Sequence, residues 1–231
     1  MTPADDICQL CGHTGFVHAD VLWPELIDAW QLTPDESAYI NIQQGTSCER
    51  CAANVRSQAL ARALLTSLGA ATSLAAVLGT SPPPAYRILE INEAGALTPW
   101  LSKFPGHVLA RYPECDMTRM SFASESFDFV VHSDTLEHVA NFRAGLLECA
   151  RVLVSGGTCL FTVPIIVSRM TRSRAGLPPS YHGHAGCRDA DFIVHTEFGA
   201  DVWRFVLECG FRTCGFVTFR YPSGIAIVAG R

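Results

Sequence analysis

One stretch of the chain, residues 87–96, combines a buried strand with a tight turn rich in small residues. Strand-forming residues lead to Glu90, and the turn follows directly. A parallel α/β sheet presents a nucleotide-like ligand at the carboxyl ends of its strands in this way. Turns of this type usually carry glycine at alternate positions, where the backbone approaches the ligand. Here those positions hold Asn92, Ala94 and Ala96, with Gly95 between them, so the stretch predicts a ligand-binding turn that is poor in glycine.

After this turn, strand-like and helix-like segments alternate along the sequence. Short apolar runs bounded by turn residues predict strands, and apolar residues at a helical period predict helices. The predicted strands cover 86–91, 107–110, 126–132, 158–164, 212–219 and 225–229, and the predicted helices cover 97–104, 142–153 and 202–209. This alternation predicts an α/β fold with a mostly parallel sheet, closed by a C-terminal antiparallel hairpin.

Two Cys-x-x-Cys pairs stand near the start of the sequence, Cys8 with Cys11 and Cys48 with Cys51. Each spacing lets two thiolates meet one ion from a tight turn, and four such ligands without an open position are typical of structural zinc. Ordinary thiols are one alternative, and a redox pair is another, although no βαβ pattern surrounds either pair. The long gap between the pairs predicts a strand pair or a short helix. We therefore predict a four-cysteine zinc module over residues 1–51.

A connector follows the cysteines. Apolar residues at a helical period predict a helix from 52 to about 68 and a second helical piece through Leu78. Three prolines in residues 79–84 predict a stiff linker, because proline cannot continue a helix. These residues, 52–84, are predicted to connect the zinc module to a main domain over 85–231. Arg56 and Arg62 lie on the polar side of the first helix and are predicted to be solvated.

Composition restricts the class of protein. The chain has 231 residues, of which 48% are hydrophobic, enough for one large core and a small module. It contains no apolar run near the roughly 20 residues of a membrane helix and no secretion signal at its start, so we expect a soluble, cytoplasmic protein without a membrane partner. The net charge of −5 argues against general nucleic-acid binding. The oligomeric state is left open.

Four motifs in a fixed order carry a family resemblance. They are Asp-Met-Thr-Arg-Met-Ser-Phe at 116–122, Ser-Phe-Asp at 126–128, Leu-Glu-His-Val at 136–139, and Arg-Val-Leu at 151–153 before a Gly-Gly turn. From about Tyr86 onward, this order resembles the class I S-adenosylmethionine-dependent methyltransferases, which have a Rossmann-like sheet. The resemblance implies S-adenosyl-L-methionine as methyl donor.

The N-terminal region narrows the resemblance to a subgroup. A cysteine-rich segment followed by an arginine-bearing helix at 51–60 resembles methyltransferases with an N-terminal four-cysteine zinc module, as do residues 178–183 and 196–199. Members of this subgroup are often small-molecule or glycan-pathway enzymes. The predicted activity is therefore methyl transfer to a small-molecule or saccharide acceptor.

The resemblance also implies a donor site at the carboxyl ends of the first four strands. Glu90 would orient the turn or meet the amino group of the donor, and Gly95 would allow close backbone approach. The implied donor-binding residues are Glu90, Asn92, Gly95, Tyr112, Glu114, Asp116, Met117, His132 and Ser133. Several have a structural alternative: Glu90 as a salt-bridged acid, Asp116 as a turn acid, Met117 as core and His132 as a hydrogen-bonded structural histidine.

Residues 165–200 are too long for a plain connection and are predicted to form a lid over the acceptor. The predicted catalytic or acceptor-contacting residues are His132, Tyr181 and His182, while His138 is interpreted as structural. Three arginines in the same segment could receive a phosphate or carboxylate of the acceptor or be solvated; they are Arg169, Arg172 and Arg174.

Two departures from the family pattern keep other functions open. The side chain of Asn92 and the methyl group of Ala94 would lie near the donor, and the stretch before Asp116 leaves little room for the usual helix. One alternative is therefore a binding or scaffold protein that keeps the fold without catalysis. The other is an RNA methyltransferase that reads its substrate with the cysteine module, against which the acidic N-terminal region argues.

Overall fold

The computed structural model describes residues 3–70, 72–80, 82–182 and 186–231. The strands are β1 (Phe16–His18), β2 (Thr46–Cys48), β3 (Arg87–Ile91), β4 (Gly106–Ala110), β5 (Phe127–Ser133), β6 (Leu153–Thr162), β7 (Ile165–Ile166), β8 (Arg172–Ser173), β9 (Thr196–Gly199), β10 (Thr213–Phe219) and β11 (Gly224–Gly230). The helices are α1 (Pro24–Trp30), α2 (Pro34–Gly45), α3 (Val55–Ser67), α4 (Leu74–Leu78), α5 (Thr98–Leu101), α6 (Phe142–Val152) and α7 (Val202–Glu208).

A six-stranded sheet forms the centre of the molecule, with the strand order β10-β11-β6-β5-β3-β4. The pairs β3 with β4, β3 with β5, and β5 with β6 are parallel, whereas β11 is antiparallel to both β6 and β10. The predicted α/β class, the mostly parallel sheet and the C-terminal hairpin are confirmed. Because the parallel strands run in one direction, Ile91, Ala110 and Ser133 end at the same edge of the sheet.

Helices cover both faces of this sheet. On one face, α6 and α7 pack against residues such as Leu89 and Val130. On the other face, α3 packs against Ile88, Val131 and Leu160, and its apolar stripe is fully buried. Successive residues of a strand point to opposite faces, which explains how β3 and β5 serve two cores. Helix α3, which was predicted to be part of a connector, therefore packs as a helical layer on one face of the sheet.

The segment between the two cysteine pairs contains both predicted kinds of element. Strands β1 and β2 pair antiparallel, and α1 and α2 lie between them in sequence. Helix α2 begins at Pro34 behind a capping box, in which Thr33 and Glu36 each bind the backbone N–H of the other. The prediction of a strand pair or short helix is confirmed.

Residues 165–200 form a small sheet with the order β7-β9-β8 and irregular segments around it. His195 donates its backbone N–H to the carbonyl oxygen of Glu137 at 2.7 Å, which ties this segment to the carboxyl edge of the central sheet. We call residues 165–200 the insert. Residues 183–185, which include His184 of the predicted lid, lie outside the described residues, as do 71 and 81 of the predicted connector. Among the helices described, none has the length and hydropathy needed to cross a membrane.

Candidate active site

Glu90 anchors the turn after β3. Its side chain is fully buried, and its carboxylate accepts hydrogen bonds from the Ala94 backbone N–H at 2.7 Å, Thr98 Oγ1 at 2.5 Å and His107 Nε2 at 2.7 Å. A buried carboxylate needs such partners, and here the protein supplies them all. Glu90 therefore orients the turn, one of its two predicted roles, and it does not border a cavity.

The glycine-poor turn leaves space at the edge of the sheet. Asn92 adopts a left-handed backbone conformation with φ of 54°, and its Oδ1 accepts a hydrogen bond from the Tyr112 backbone N–H at 3.0 Å. The Ala94 methyl group is buried in the core beneath the turn. The Ala94 methyl group therefore points away from the space above the turn, whereas Asn92 lines that space.

A cavity of about 710 Å³ opens beside this turn, at the carboxyl ends of β3, β4 and β5. We call it cavity A. Its walls include five of the residues predicted to bind the donor, namely Asn92, Tyr112, Asp116, Met117 and Ser133. Asp116 is held by its own turn, because Oδ1 accepts from the backbone N–H and the hydroxyl of Thr118, both at 2.8 Å. These two bonds lower the pKa of Asp116.

Three other predicted donor-binding residues lie elsewhere. His132 is fully buried, its ring stacks on Phe161 with centroids 4.8 Å apart, and it borders neither cavity. The alternation of β5 explains this, because Ser133 takes the outward position and His132 the inward one. Glu114 is exposed away from cavity A, and Gly95 faces α3. The positions of these three residues do not support their predicted contact with donor or acceptor.

A second cavity of about 500 Å³ adjoins the first and has mostly apolar walls. We call it cavity B. The N-terminal segment supplies Trp23, Leu26, Trp30, Leu32 and Ile40, and the insert supplies Ile165, Ile166, His182 and Phe192. Trp30 joins the two walls, because its Nε1 donates to Ser180 Oγ at 2.7 Å and its ring lies 5.5 Å from that of His182. The sequence did not reveal that the gap between the cysteine pairs forms this wall.

The two cavities meet at Ser133, Asp134, His138 and Phe192, which border both. Asp134 is fixed at this junction by hydrogen bonds from Arg56 Nη1 and from Thr162 Oγ1, the latter at 2.9 Å. Arg56 reaches the junction from α3, so the prediction that it is solvated was wrong. The sequence pattern could not show this contact, because it joins residues 78 positions apart.

A cluster of the buried Glu137 with the half-buried His138 and His182 lies next to the junction. Glu137 is 1% exposed, and neither of its carboxylate oxygens has a hydrogen-bond partner among the described residues. Burial raises the pKa of Glu137 well above its usual value, and burial lowers the pKa of His138 and takes that of His182 to about 4. Both imidazoles are therefore neutral near pH 7.

The residues predicted to contact the acceptor lie in different places in the structure. His182 borders cavity B, and His138, which was interpreted as structural, borders both cavities. The ring of Tyr181 packs beneath Arg188, 5.5 Å from its guanidinium carbon, and borders neither cavity. The sequence did not indicate a role for Glu137, because the Leu-Glu-His motif contributed only to the family resemblance.

The three arginines of the insert are bound within the protein. Arg169 contacts the Glu36 carboxylate at 2.9 and 2.6 Å and the carbonyl oxygen of Trp30 at 2.8 Å. Arg172 and Arg174 both pair with Glu197. Arg174 is buried and Arg169 is largely enclosed, whereas the Arg172 side chain is 46% exposed despite its ion pair. None of the three borders cavity A or cavity B, and Arg169 joins the insert to α1 and α2.

The four N-terminal thiols converge as predicted for a metal site. All four sulfur atoms lie within 4.8 Å of one another, and the Cys8–Cys51 and Cys11–Cys48 Sγ distances are 3.5 and 3.7 Å. Four thiolates about 2.3 Å from a tetrahedral zinc would be about 3.8 Å apart. Gln58 of α3 also donates its Nε2–H to Cys8 Sγ at 3.3 Å. The donor set and spacing fit zinc.

Comparisons with known proteins concern mainly the central sheet. Residues 86–161 match the family model described as a methyltransferase domain. The structure is similar to a SAM-bound amino pentose methyltransferase of Micromonospora echinaspora involved in calicheamicin biosynthesis, with 15% identity, a TM-score of 0.43, and 74% of this chain and 90% of that chain covered. For a SAM-dependent methyltransferase of Aquifex aeolicus the values are 12%, 0.41, 63% and 82%. No curated protein matches the sequence significantly. The family match identifies a methyltransferase domain in the part of the chain that spans β3 to β6.

Proposed function

We propose that the protein transfers a methyl group from S-adenosyl-L-methionine to a small-molecule acceptor. The observation that carries this proposal is the arrangement of two adjoining cavities at the carboxyl edge of the methyltransferase domain, which meet at Asp134 and His138. A two-substrate reaction needs two sites that open to one another, because methyl transfer requires the reacting atoms about 3 to 3.5 Å apart.

Cavity A is the proposed donor site. Its volume of about 710 Å³ lies in the usual range of small-molecule sites, about 300 to 1,000 Å³. Tyr112 offers a ring for stacking on the adenine, and the fixed carboxylate of Asp116 keeps Oδ2 free for a hydrogen-bond donor. Ser133 and Asn141 supply polar groups near the junction, where the methionine end would lie.

Cavity B is the proposed acceptor site. Two tryptophans and several aliphatic side chains form its walls, which favours an acceptor with an aromatic or aliphatic ring. A saccharide acceptor would stack on Trp23 or Trp30 and leave its other hydroxyl groups against apolar walls. We therefore favour an apolar small molecule over an unsubstituted sugar.

When bound, the donor would supply an electrophilic methyl group on a sulfonium: the acceptor atom would attack the methyl carbon in line while the carbon–sulfur bond breaks and the sulfur leaves as a neutral thioether. The protein orients the two molecules: Glu90 holds the donor turn and the Arg56–Asp134 pair holds the junction. The acceptor would lie beside His138 and His182, which border cavity B and would position its reacting atom at the junction. These two histidines replace His132 and Tyr181 as the side chains proposed to contact the acceptor.

We also propose that the four thiolates hold one structural zinc ion. They leave no position open for a substrate, so the ion acts on folding and not on the reaction. Through β2 and α2 this ion would support the wall of cavity B. Elemental analysis should find at least one zinc per chain, and none bound to a protein unfolded in the presence of a chelator.

Isothermal titration calorimetry with S-adenosyl-L-methionine and its demethylated product tests the donor site. We expect saturable binding of both, weakened up to about tenfold in Tyr112→Ala through loss of ring stacking. Tyr221→Ala is the matched control, because Tyr221 is 71% exposed in the turn between β10 and β11. The absence of heat from both ligands at high protein concentration would refute the proposal and favour a scaffold protein.

A further inference from the structure

The carboxylate of Glu137 lacks a partner where one is needed. The residue is 1% exposed, and the described part of the chain offers no hydrogen-bond donor to either oxygen. An ionised buried carboxylate without a partner costs several kcal/mol, so such a group is protonated, is paired with a donor or binds a metal ion. The nearest polar atoms of this cluster are imidazole nitrogens, at distances longer than a hydrogen bond.

The distances between Glu137 and the two histidines fit three ligands that share one metal ion. Glu137 Oε1 lies 3.6 Å from His138 Nε2 and 3.8 Å from His182 Nδ1, and one ligand atom from each of the three residues lies within 4.8 Å of the others. Ligands about 2.1 Å from a common ion lie about 3 to 4.2 Å apart, depending on the angle between them. Both measured distances fall in this interval.

The tautomer of His138 also suits a ligand. His138 Nδ1 lies 2.9 Å from the carbonyl oxygen of Ile193, and since a carbonyl only accepts, Nδ1 carries the proton. Nε2 therefore has a free lone pair, directed toward Glu137. A backbone carbonyl that binds the second nitrogen of a ligating histidine is the usual outer contact of a metal site.

We propose that Glu137, His138 and His182 form a site for a divalent transition-metal ion beside the acceptor cavity. Two imidazoles and one carboxylate suit Mn²⁺, Fe²⁺, Co²⁺ or Zn²⁺, and three protein ligands leave positions open for water or an acceptor oxygen. Because His138 and His182 border cavity B, the ion faces the acceptor. The ion's contact with an acceptor rests on the proposed function, whereas its binding does not.

Titration with Mn²⁺, followed by the EPR signal of free Mn²⁺, tests the site directly. Thiolate sites take Mn²⁺ poorly, so the N-terminal cysteines do not compete. We expect one Mn²⁺ per chain, with affinity reduced at least about tenfold in His182→Ala and in Glu137→Gln. His18→Ala is the matched control, because His18 lies on β1 at the surface, bonded to Thr46 and Asp20.

Thermal unfolding gives a second readout. Without metal, Glu137→Gln should not lower the melting temperature, since it replaces an unpaired buried acid by a neutral side chain of similar shape; with Mn²⁺, wild type should gain stability and the variant should not. Two results together would overturn the site: no Mn²⁺ bound to wild type, and the same metal content in wild type, Glu137→Gln and His182→Ala. Donor binding by calorimetry, measured on the same samples, separates this outcome from failure of the proposed function.

Discussion

Glu36→Gln is expected to destabilise the protein through the contact between α2 and the insert. The Glu36 carboxylate accepts hydrogen bonds from Arg169 at 2.9 and 2.6 Å, from Ser168 Oγ at 2.6 Å and from the Thr33 backbone N–H at 2.9 Å. The substitution keeps the shape of the side chain but removes its charge, and its amide group can no longer accept from all four donors.

The pKa of Glu36 gives the size of the expected loss in the free energy of unfolding. The bonds from Arg169, with those from Ser168 and Thr33, lower this pKa from 4.5 to about 2. A difference of about 2.5 units at roughly 1.36 kcal/mol each gives about 3 kcal/mol at pH 7 as an upper limit. Because the folded pKa is depressed, this stability is present above pH 4.5 and is lost as pH falls toward 2; at pH 3 about 1.4 kcal/mol remains.

Urea unfolding at pH 7 measures this contribution, with Asp35→Asn as matched control. Asp35 is exposed in the same turn of α2, so its substitution removes a charge near the same helix end without touching Arg169. We expect Glu36→Gln to lower the free energy of unfolding by about 2 to 3 kcal/mol and Asp35→Asn by less than about 1 kcal/mol. An effect of Glu36→Gln no larger than that of Asp35→Asn would refute the reasoning.

Three further substitutions test other contacts. Glu90→Gln removes charge-assisted hydrogen bonds from a fully buried group, so urea unfolding should show a loss of about 2 kcal/mol, and calorimetry should show weaker donor binding. Trp30→Phe deprives Ser180 of its donor and should raise the KM for the acceptor but leave donor affinity unchanged, whereas Trp203→Phe on exposed α7 should change neither. Cys48→Ser should release zinc and lower the melting temperature, and Cys214→Ser should retain the metal; equal metal content in both would contradict a four-cysteine site.

The sequence by itself determined the central architecture. Short apolar runs and helical periods predict β3, β5 and α6 to within one residue at each end, because local periodicity records which side of each element is buried. Strand β6 begins at Leu153, earlier than the predicted start at 158. The same holds for the four-cysteine cluster, in which the spacing inside each pair fixes two of the four ligands. The family resemblance assigned Asn92, Tyr112, Asp116, Met117 and Ser133 to one site, and all five line cavity A, because parallel strands bring their carboxyl ends to one edge.

The side chains that border cavity B are set by contacts between residues far apart in the sequence. Arg56 meets Asp134 across 78 residues, Glu36 meets Arg169 across 133, and Trp30 meets Ser180 across 150. No local pattern records such pairs, because each depends on how α1, α2, α3 and the insert pack over the sheet. The sequence also did not show to which side of β5 each side chain points. In the structure, successive residues of β5 alternate, so the His132 side chain lies in the core and Ser133 borders the cavities. Local sequence patterns thus predict the central sheet and its carboxyl edge, whereas long-range packing forms cavity B.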